Sequence, residues 1–446
     1  MTTTSTPPAR WIEGWDPEDE AFWQRSGRRI ARRNLLCSVF SEHIGFSVWS
    51  IWSVMVLFMS PDIGLPFSAS QKFLLVMTPT LVGAVLRLPY SAAVTRFGGR
   101  RWTVFSSAVL LVPTLLACYF VRQPGTPLWV FVLIGAFAGL GGGNFGSSMT
   151  NVTALFPQRH QGWALGLNAG GGNIAVAVIQ LVGLLVIATV GNTHPSLVAA
   201  IYLPLIVLAA LAAAQWMDDV DAVGARHGGL REAASNPHTW WTSLLYVGTF
   251  GSFIGYGFAF GLVLQTEFDF SPLRAASYTF LGPLLGSLAR PLGGWLADRW
   301  GGARVTLVSF LLMVVGTGML LVASAGDAFP LFLVAFSALF VLAGVGNGST
   351  YKMIPAIAAE WVGATGRGSG NSFTRARRLS GGMLGITGAV GALGGVFINL
   401  VFRDSYGDPA GSGVPAFVTF IGFYLVCVVV TWVVYLRPAS WGKRDV

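Results

Sequence analysis

Apolar segments of membrane-spanning length recur along the whole 446-residue chain. A helix needs about 20 apolar residues to cross a bilayer, and hydropathy predicts twelve such helices here. Charged residues make up 11% of the chain, less than half of the roughly 25% that is usual in soluble domains. We therefore expect an all-α membrane protein with twelve transmembrane helices and no soluble domain. The helices are predicted at residues 35–59, 71–95, 102–121, 128–156, 162–190, 195–216, 240–265, 275–297, 304–325, 329–358, 381–402 and 414–436.

Lysine and arginine are distributed unevenly between the two sides of these predicted helices. If both termini are cytoplasmic, 21 of the 28 basic residues lie in tails and loops on that side and four in outer loops. This bias follows the positive-inside rule, so we predict a multi-pass protein of the inner or plasma membrane with cytoplasmic termini. The same bias accounts for the net charge of +9 without a nucleic-acid partner.

The second and eighth predicted helices carry related sequences. RLPYSAAVTRFGGRRWT, from Arg87, aligns with RPLGGWLADRWGGARVT, from Arg290, at an offset of 203 residues, and the same offset places Asn144 on Asn347. Secondary transporters are built from such repeats, with the substrate site near the midplane between them. The chain is accordingly predicted to comprise an N-terminal tail (1–34), a six-helix bundle (35–216), a cytoplasmic linker (217–239), a second bundle (240–436) and a C-terminal tail (437–446).

Two arginines, Arg87 and Arg290, fall near the predicted membrane midplane. Each lies nine residues before the last arginine of its helix, which is about 13–14 Å at a rise of 1.5 Å per residue. An arginine at that depth costs about 2.5–3.5 kcal/mol, and Glu42 is the one acidic residue well inside an apolar segment. An anionic substrate would supply the missing countercharge, because the planar guanidinium suits a flat oxyanion. The alternative is that each arginine snorkels or binds backbone carbonyls.

Several motifs resemble those of one transporter family. The loops GGRRW (98–102) and LADRWGGAR (296–304) resemble the loop motif of the major facilitator superfamily. GGGNFGSSMTNVTALFPQRHQGWALGLNAGGGN (141–173) resembles the nitrate signature of its nitrate/nitrite porter (NarK-type) family. The stretches 249–256, 344–357 and 385–397 are also similar to that family. The resemblance extends from Asn34 to the last helix and implies the major facilitator fold and a nitrate or nitrite substrate.

The resemblance also implies which residues complete the substrate site around the two arginines. It places Phe145, Asn173, Tyr246 and Phe250 there, and Asn168 is a further candidate. Tyr246 and Phe250 are four residues apart, so they share one face of a helix. Without the resemblance, such an aromatic pair is more often packing than a ligand contact.

Charged residues away from the midplane suggest a coupling site or an inner gate. Glu42 and Lys352 are expected to face the cavity at similar depth and to pair, with either a proton-coupling or a structural role. His43 is a second candidate proton carrier. Thr95 stands where the superfamily motif usually has Asp, so charge pairing at the inner gate is expected to involve Asp298, beside Arg299.

We therefore predict a secondary active transporter of nitrate or nitrite, with proton-coupled uptake as the first hypothesis and nitrate/nitrite antiport as the second. Transport of a different small anion, such as phosphate, ranks below these two, as does an anion channel. No triad, metal-ligand set or nucleotide fingerprint is visible in the sequence, so we expect neither an enzyme nor a cofactor. The expected partners are nitrate, nitrite, protons and membrane lipid, around a monomer. The sequence gives no role for the basic loop 361–380.

Overall fold

The computed structural model of the chain describes residues 11–222, 229–364, 372–407 and 411–437. Twelve long helical stretches lie within these ranges and confirm the predicted all-α, twelve-helix membrane fold. They are α1 (Arg28–Ser50 and Trp52–Phe58), α2 (Ala69–Phe97), α3 (Gly99–Phe120), α4 (Leu128–Leu155), α5 (Gln158–Val190), α6 (Ser196–Trp216), α7 (Pro237–Glu267), α8 (Pro272–Thr279 and Leu281–Trp300), α9 (Gly302–Ala325), α10 (Phe329–Ala364), α11 (Ser372–Ser405) and α12 (Val414–Leu436).

Ten of these described helices are long and apolar enough to cross a membrane by length and composition. The other two, α1 and α8, contain Glu42 and Arg290 respectively. Helices α1, α10 and α11 extend further than predicted. The backbone hydrogen bonds of a helix do not depend on apolar side chains, so a helix can continue into polar sequence that hydropathy does not count as membrane-spanning. Much of the predicted basic loop 361–380 is therefore helical, although residues 365–371 lie outside the described part of the chain.

The segment before α1 and the segment after α6 form a small parallel sheet, which the sequence did not predict. Strand β1 (Trp11–Trp15) pairs with β2 (Asp219–Ala222). Asp219 also accepts hydrogen bonds from the backbone amides of Arg100 (2.9 Å) and Arg101 (3.3 Å). Burial raises the pKa of the Asp219 carboxyl, while these amides and the neighbouring arginines act in the opposite direction. The sheet thus joins the beginning of the chain to the linker between the halves.

The repeat seen in the sequence is also visible in the backbone. Gly98 ends α2 with a φ of +91° and Gly301 ends α8 with a φ of +86°, and the two glycines are related by the same offset of 203 residues. Such positive φ values favour glycine because a side chain would be strained there. Duplicated sequence has therefore produced duplicated helix ends.

The two halves pack directly against each other at one end of the bundle. We call this end, which holds residues 59–68 and 268–271, the far side. There Arg403 Nε donates to Ser70 Oγ (3.1 Å), and Phe73 stacks on Phe402 with ring centroids 5.9 Å apart. Gln265 of the second half also donates to the carbonyl of Leu57 in the first (3.4 Å).

At the opposite end, the tail side, which holds β1 and β2, polar contacts between the halves centre on Arg377 of α11. Its Nη1 lies 2.8 Å from Glu18 Oε1, and its Nη2 donates to the carbonyl of Phe156 (3.5 Å). Glu18 also accepts from the amide of Gln158 at the start of α5 (3.0 Å). The segment before α1 therefore bridges the two halves on this side, a contact that hydropathy could not predict.

Candidate functional site

Arg87 of α2 is enclosed by aromatic rings of both halves. Its side chain is 1% exposed, and its guanidinium carbon lies 4.5 Å from the ring centre of Phe145 and 5.0 Å from that of Phe250. Trp49 and Phe46 of α1 are the next rings, at 5.6 and 6.0 Å. Contacts of this kind stabilise a desolvated cation, so the rings offset part of the cost of burying Arg87.

One guanidinium nitrogen of Arg87 has a partner, and two have none. Nη1 donates to the carbonyl of Gly388 on α11 (2.6 Å). The alternative prediction, in which the arginines bind backbone carbonyls, therefore holds for one nitrogen of Arg87. Nε and Nη2 are buried and form no hydrogen bond within the described residues. A buried donor without a partner costs about 1–3 kcal/mol, more when it is charged. Arg87 therefore presents one edge for a ligand while the protein holds the other end.

Arg290 of α8 belongs to the same cluster. Its Nη2 donates to the hydroxyl of Tyr246 (3.2 Å), and its Nη1 is buried without a hydrogen bond to a described residue. Tyr246 stacks on Phe250 with ring centres 5.1 Å apart and planes within 6°. Because Phe250 also contacts Arg87, the chain Arg87–Phe250–Tyr246–Arg290 links the two halves through successive contacts. The structure thus brings together both arginines and all three predicted aromatic residues.

Glycines allow the helix backbones to approach closely behind each arginine. A side chain on Gly146 of α4 would overlap the carbonyl of Arg87, and one on Gly348 of α10 would overlap the carbonyl of Arg290. Small residues permit such backbone packing in membrane proteins. The two arginines are therefore held by their backbones as well as by their side-chain contacts.

The two predicted asparagines have different surroundings. Asn173 is 1% exposed, and neither its amide nitrogen nor its amide oxygen forms a hydrogen bond within the described residues. A buried amide without partners is suited to meet a polar ligand or water. Asn168 instead donates to Glu42 and to Ser148 Oγ (2.8 Å), so its amide contacts the carboxylate rather than either arginine.

Glu42 is the centre of a second buried polar cluster. Its side chain is fully buried, and Oε2 accepts hydrogen bonds from Ser148 and Asn168. Oε1 has no partner within the described ranges, and Gly172 leaves the space that it occupies. Ser148 Oγ also lies 3.2 Å from the carbonyl oxygen of Phe145, so one helical turn of α4 connects Glu42 to the arginine cluster.

The predicted Glu42–Lys352 pair is wrong. Lys352 Nζ instead lies 2.8 Å from Asp298 Oδ1, and both side chains are more than half exposed. Lysine can reach outward along its flexible stem, and Asp298 is the solvated acid near the end of the neighbouring α8. This pair lies within the second half and does not itself join the two halves.

The remaining predicted gate residues make local contacts. Arg299 lies over the ring of Trp295, with its guanidinium carbon 4.0 Å from the ring centre. His43 Nδ1 is 3.0 Å from the carbonyl oxygen of Gly171. Within the described ranges, no group of three or more His, Cys, Asp and Glu side chains is arranged to hold a metal ion.

Sequence reasoning missed Tyr351, the residue before Lys352. Its ring centre lies 5.5 Å from the Arg290 guanidinium carbon and 5.2 Å from the ring of Tyr246. The repeat offset relates Tyr351 to Ser148, which touches Glu42. Both positions of this pair therefore contact a buried charged side chain, and no pattern in the sequence singled out either of them.

Comparison with known proteins places this geometry in context. The model of the Major Facilitator Superfamily matches residues 35–386. The chain is 39% identical to the nitrate/nitrite transporter NarU of Escherichia coli (strain K12), an alignment that covers 96% of each protein. It is 33% identical to a Thermus thermophilus protein named "Probable nitrate/nitrite antiporter NarK2", with 96% of this chain and 97% of that protein covered.

Solved structures share the fold at low sequence identity. A bacterial homolog of the human lysosomal transporter Spinster, in an inward-facing and occupied conformation, matches with a TM-score of 0.63 and 16% identity over 89% of this chain and 95% of that chain. The nucleoside transporter NupG matches with a TM-score of 0.62 and 11% identity over 89% and 98%. At these identities the similarity concerns the fold alone.

Proposed function

The chain belongs to the Major Facilitator Superfamily and, within it, to the nitrate/nitrite porters, and we propose that it carries nitrate and nitrite across a membrane by alternating access. Substrate binds between the halves, at Arg87 and Arg290. Phe145, Tyr246, Phe250 and the amide of Asn173 complete the site.

The unpartnered guanidinium donors carry this proposal. Three N–H-bearing nitrogens of Arg87 and Arg290 are buried without partners among the described residues, and the rings of Phe145 and Phe250 lie against Arg87. Nitrate and nitrite are flat and singly charged, so they can accept hydrogen bonds at their edges while an aromatic ring covers a face. A tetrahedral divalent phosphate would require more donors, arranged in three dimensions.

Flux through proteoliposomes tests the proposed function. We expect nitrate uptake to be faster when the vesicles contain nitrite or nitrate than when they are empty, because a carrier returns faster with substrate bound. An imposed inward proton gradient tests coupling in the same vesicles. A nitrate flux that does not change with internal substrate would indicate a channel. Inhibition of nitrate uptake by an equal concentration of phosphate would indicate a general anion carrier.

We propose that transport is coupled to protons through Glu42, with nitrate/nitrite antiport as the alternative. Glu42 is a buried carboxyl whose Oε1 has no partner among the described residues, so a proton can be carried there without displacing a hydrogen bond. Ser148 and Phe145 connect it to Arg87. His43 is the second candidate carrier. We assign Lys352, Asp298 and Arg299 to the tail-side surface near the gate.

We further propose that the tail side is cytoplasmic and that the protein is a monomer of the inner membrane, surrounded by lipid. The test uses intact cells that express the protein with its three native cysteines replaced. In that background, Ser235→Cys on the tail side should not react with an impermeant thiol reagent. Asp62→Cys on the far side should react, because both positions are exposed and only their side differs. Labelling of Ser235→Cys from outside would reverse the proposed orientation.

A further inference from the structure

A pocket of about 210 Å³ lies on the tail side, between the start of α1 and the turn that joins α4 to α5. Pockets that enclose drug-sized ligands measure roughly 300–1,000 Å³, so this one suits a smaller group. Arg28 and Arg32 form its charged wall. We call it the tail-side pocket; its other walls include the rings of Trp23, Phe156, His160 and Trp163.

The two arginines of the tail-side pocket have no countercharge paired with them among the described residues. They are four residues apart on α1, so they extend from one helix face. Both are exposed, and neither forms an ion pair or hydrogen bond with the residues that the structure describes. Glu20, which accepts a hydrogen bond from Gln24 in the pocket wall (2.7 Å), is paired with Arg159, and Asp218 is paired with Arg33 (2.5 Å). Two adjacent unpaired guanidinium groups favour an anion that accepts several hydrogen bonds, as phosphate does.

The aromatic walls of the pocket are of a kind that is typical of a membrane surface. Trp23 is 2% exposed and stacks on His160 with ring centres 5.9 Å apart. Trp163 is 58% exposed, and its ring centre lies 6.4 Å from that of Phe156. Exposed tryptophan near the end of a membrane helix is typical of the interface between lipid and water. The pocket therefore combines a cationic rim with an exposed aromatic wall.

We infer that the tail-side pocket binds the phosphate of an anionic phospholipid, with Arg28 and Arg32 on the headgroup and Trp163 against the lipid beyond it. If the tail side is cytoplasmic, as proposed above, the lipid belongs to the cytoplasmic leaflet. Headgroup binding itself is independent of nitrate transport, so either proposal can fail alone.

A bound headgroup would stabilise the contact between the halves on this side. Phe156 contributes its ring to the pocket and its carbonyl to Arg377 of the second half. Glu18, which pairs with Arg377, also holds the amide of Gln158 two residues further on. The lipid thus occupies the same turn that joins the two halves.

Lipid binding to the purified full-length protein tests this inference. The delipidated protein in neutral detergent is titrated with phosphatidylglycerol, phosphatidylcholine or inorganic phosphate, and bound lipid and Tm are measured by native mass spectrometry and thermal unfolding. We expect phosphatidylglycerol alone to bind stably and raise the Tm. The double variant Arg28→Gln/Arg32→Gln should need about tenfold more of this lipid, since it loses the charge-assisted hydrogen bonds of both guanidinium groups to the phosphate.

The matched control is Arg25→Gln/Arg29→Gln, which removes the same charge from exposed positions outside the pocket. It should bind phosphatidylglycerol like the parent. Equal losses in both double variants, or unchanged binding in the pocket variant, would overturn the inference, and stabilisation by inorganic phosphate alone would replace the lipid by a free anion. If the pocket variant unfolds, Trp163→Ala provides the test, with weaker retention of phosphatidylglycerol expected; parental retention would overturn the inference.

Discussion

Replacing either Arg87 or Arg290 by lysine is expected to lower nitrate transport at least tenfold. Nη1 of Arg87 is held by the carbonyl of Gly388, while Nε and Nη2 form no hydrogen bond with a described residue. Lysine has a single nitrogen, which cannot both bind that carbonyl and present a planar pair of donors to the anion. One charge-assisted hydrogen bond is worth about 1.5–3 kcal/mol, which corresponds to a factor of ten or more. The measurement is initial nitrate counterflow in proteoliposomes at equal protein content.

Arg274→Lys is the matched control for these variants. Arg274 lies on the far side, outside the arginine cluster, and its guanidinium carbon is 3.7 Å from the ring centre of Phe270. Lysine keeps the charge there, so we expect transport close to that of the parent. A parental rate in Arg87→Lys or Arg290→Lys, with the protein present at its normal level, would contradict the proposed anion site.

The sequence predicted those features that local pattern or duplication determines. Apolar length indicated twelve helices, and the offset of 203 residues paired Arg87 with Arg290. The resemblance supplied Phe145, Tyr246 and Phe250, and the structure places all three in the arginine cluster. These residues lie in helices whose faces are set by repeat and motif, so their positions follow from sequence.

The partners of buried polar groups could not be predicted in the same way. The sequence pairs Lys352 with Glu42 because both lie in cavity-lining helices, yet Lys352 reaches Asp298 on the neighbouring α8. Glu42 finds Ser148 and Asn168 instead. The hydrogen-bond and ion-pair partners of a buried side chain depend on the rotation of each helix and on the direction of each side chain. Hydropathy predicts neither of these. Arg87 is held by the backbone carbonyl of Gly388, and a backbone partner cannot be identified from the residue type.

Pseudosymmetry also explains why the second cluster differs from the first. The repeat offset relates Tyr246, which binds Arg290, to His43, which contacts Gly171 instead of Arg87. At this position the second half has a partner of its arginine, whereas the first half has a titratable ring next to Glu42 in the sequence. The two arginines therefore belong to both halves, whereas both proposed proton carriers, Glu42 and His43, belong to the first half alone.

Replacing Glu42 by glutamine is expected to abolish nitrate accumulation driven by an inward proton gradient while nitrate/nitrite exchange is largely retained. Because Oε1 of Glu42 has no partner among the described residues, the amide nitrogen can take its place. The remaining oxygen keeps Ser148 and Asn168 as donors. The variant thus removes the proton site without a change of size, and the packing next to Gly172 is preserved.

The two transport modes are measured in the same proteoliposomes, so exchange reports folding while gradient-driven uptake reports coupling. His43→Gln is the matched variant, because its ring is the adjacent titratable group and its one hydrogen bond among the described residues is to the carbonyl of Gly171. We expect it to keep gradient-driven uptake. If Glu42→Gln still accumulates nitrate and His43→Gln does not, the histidine carries the proton. If both variants accumulate nitrate like the parent, neither residue carries the proton. If the parent protein itself does not respond to the proton gradient, the protein is a pure nitrate/nitrite exchanger, in which substrate alone neutralises Arg87 and Arg290 during reorientation.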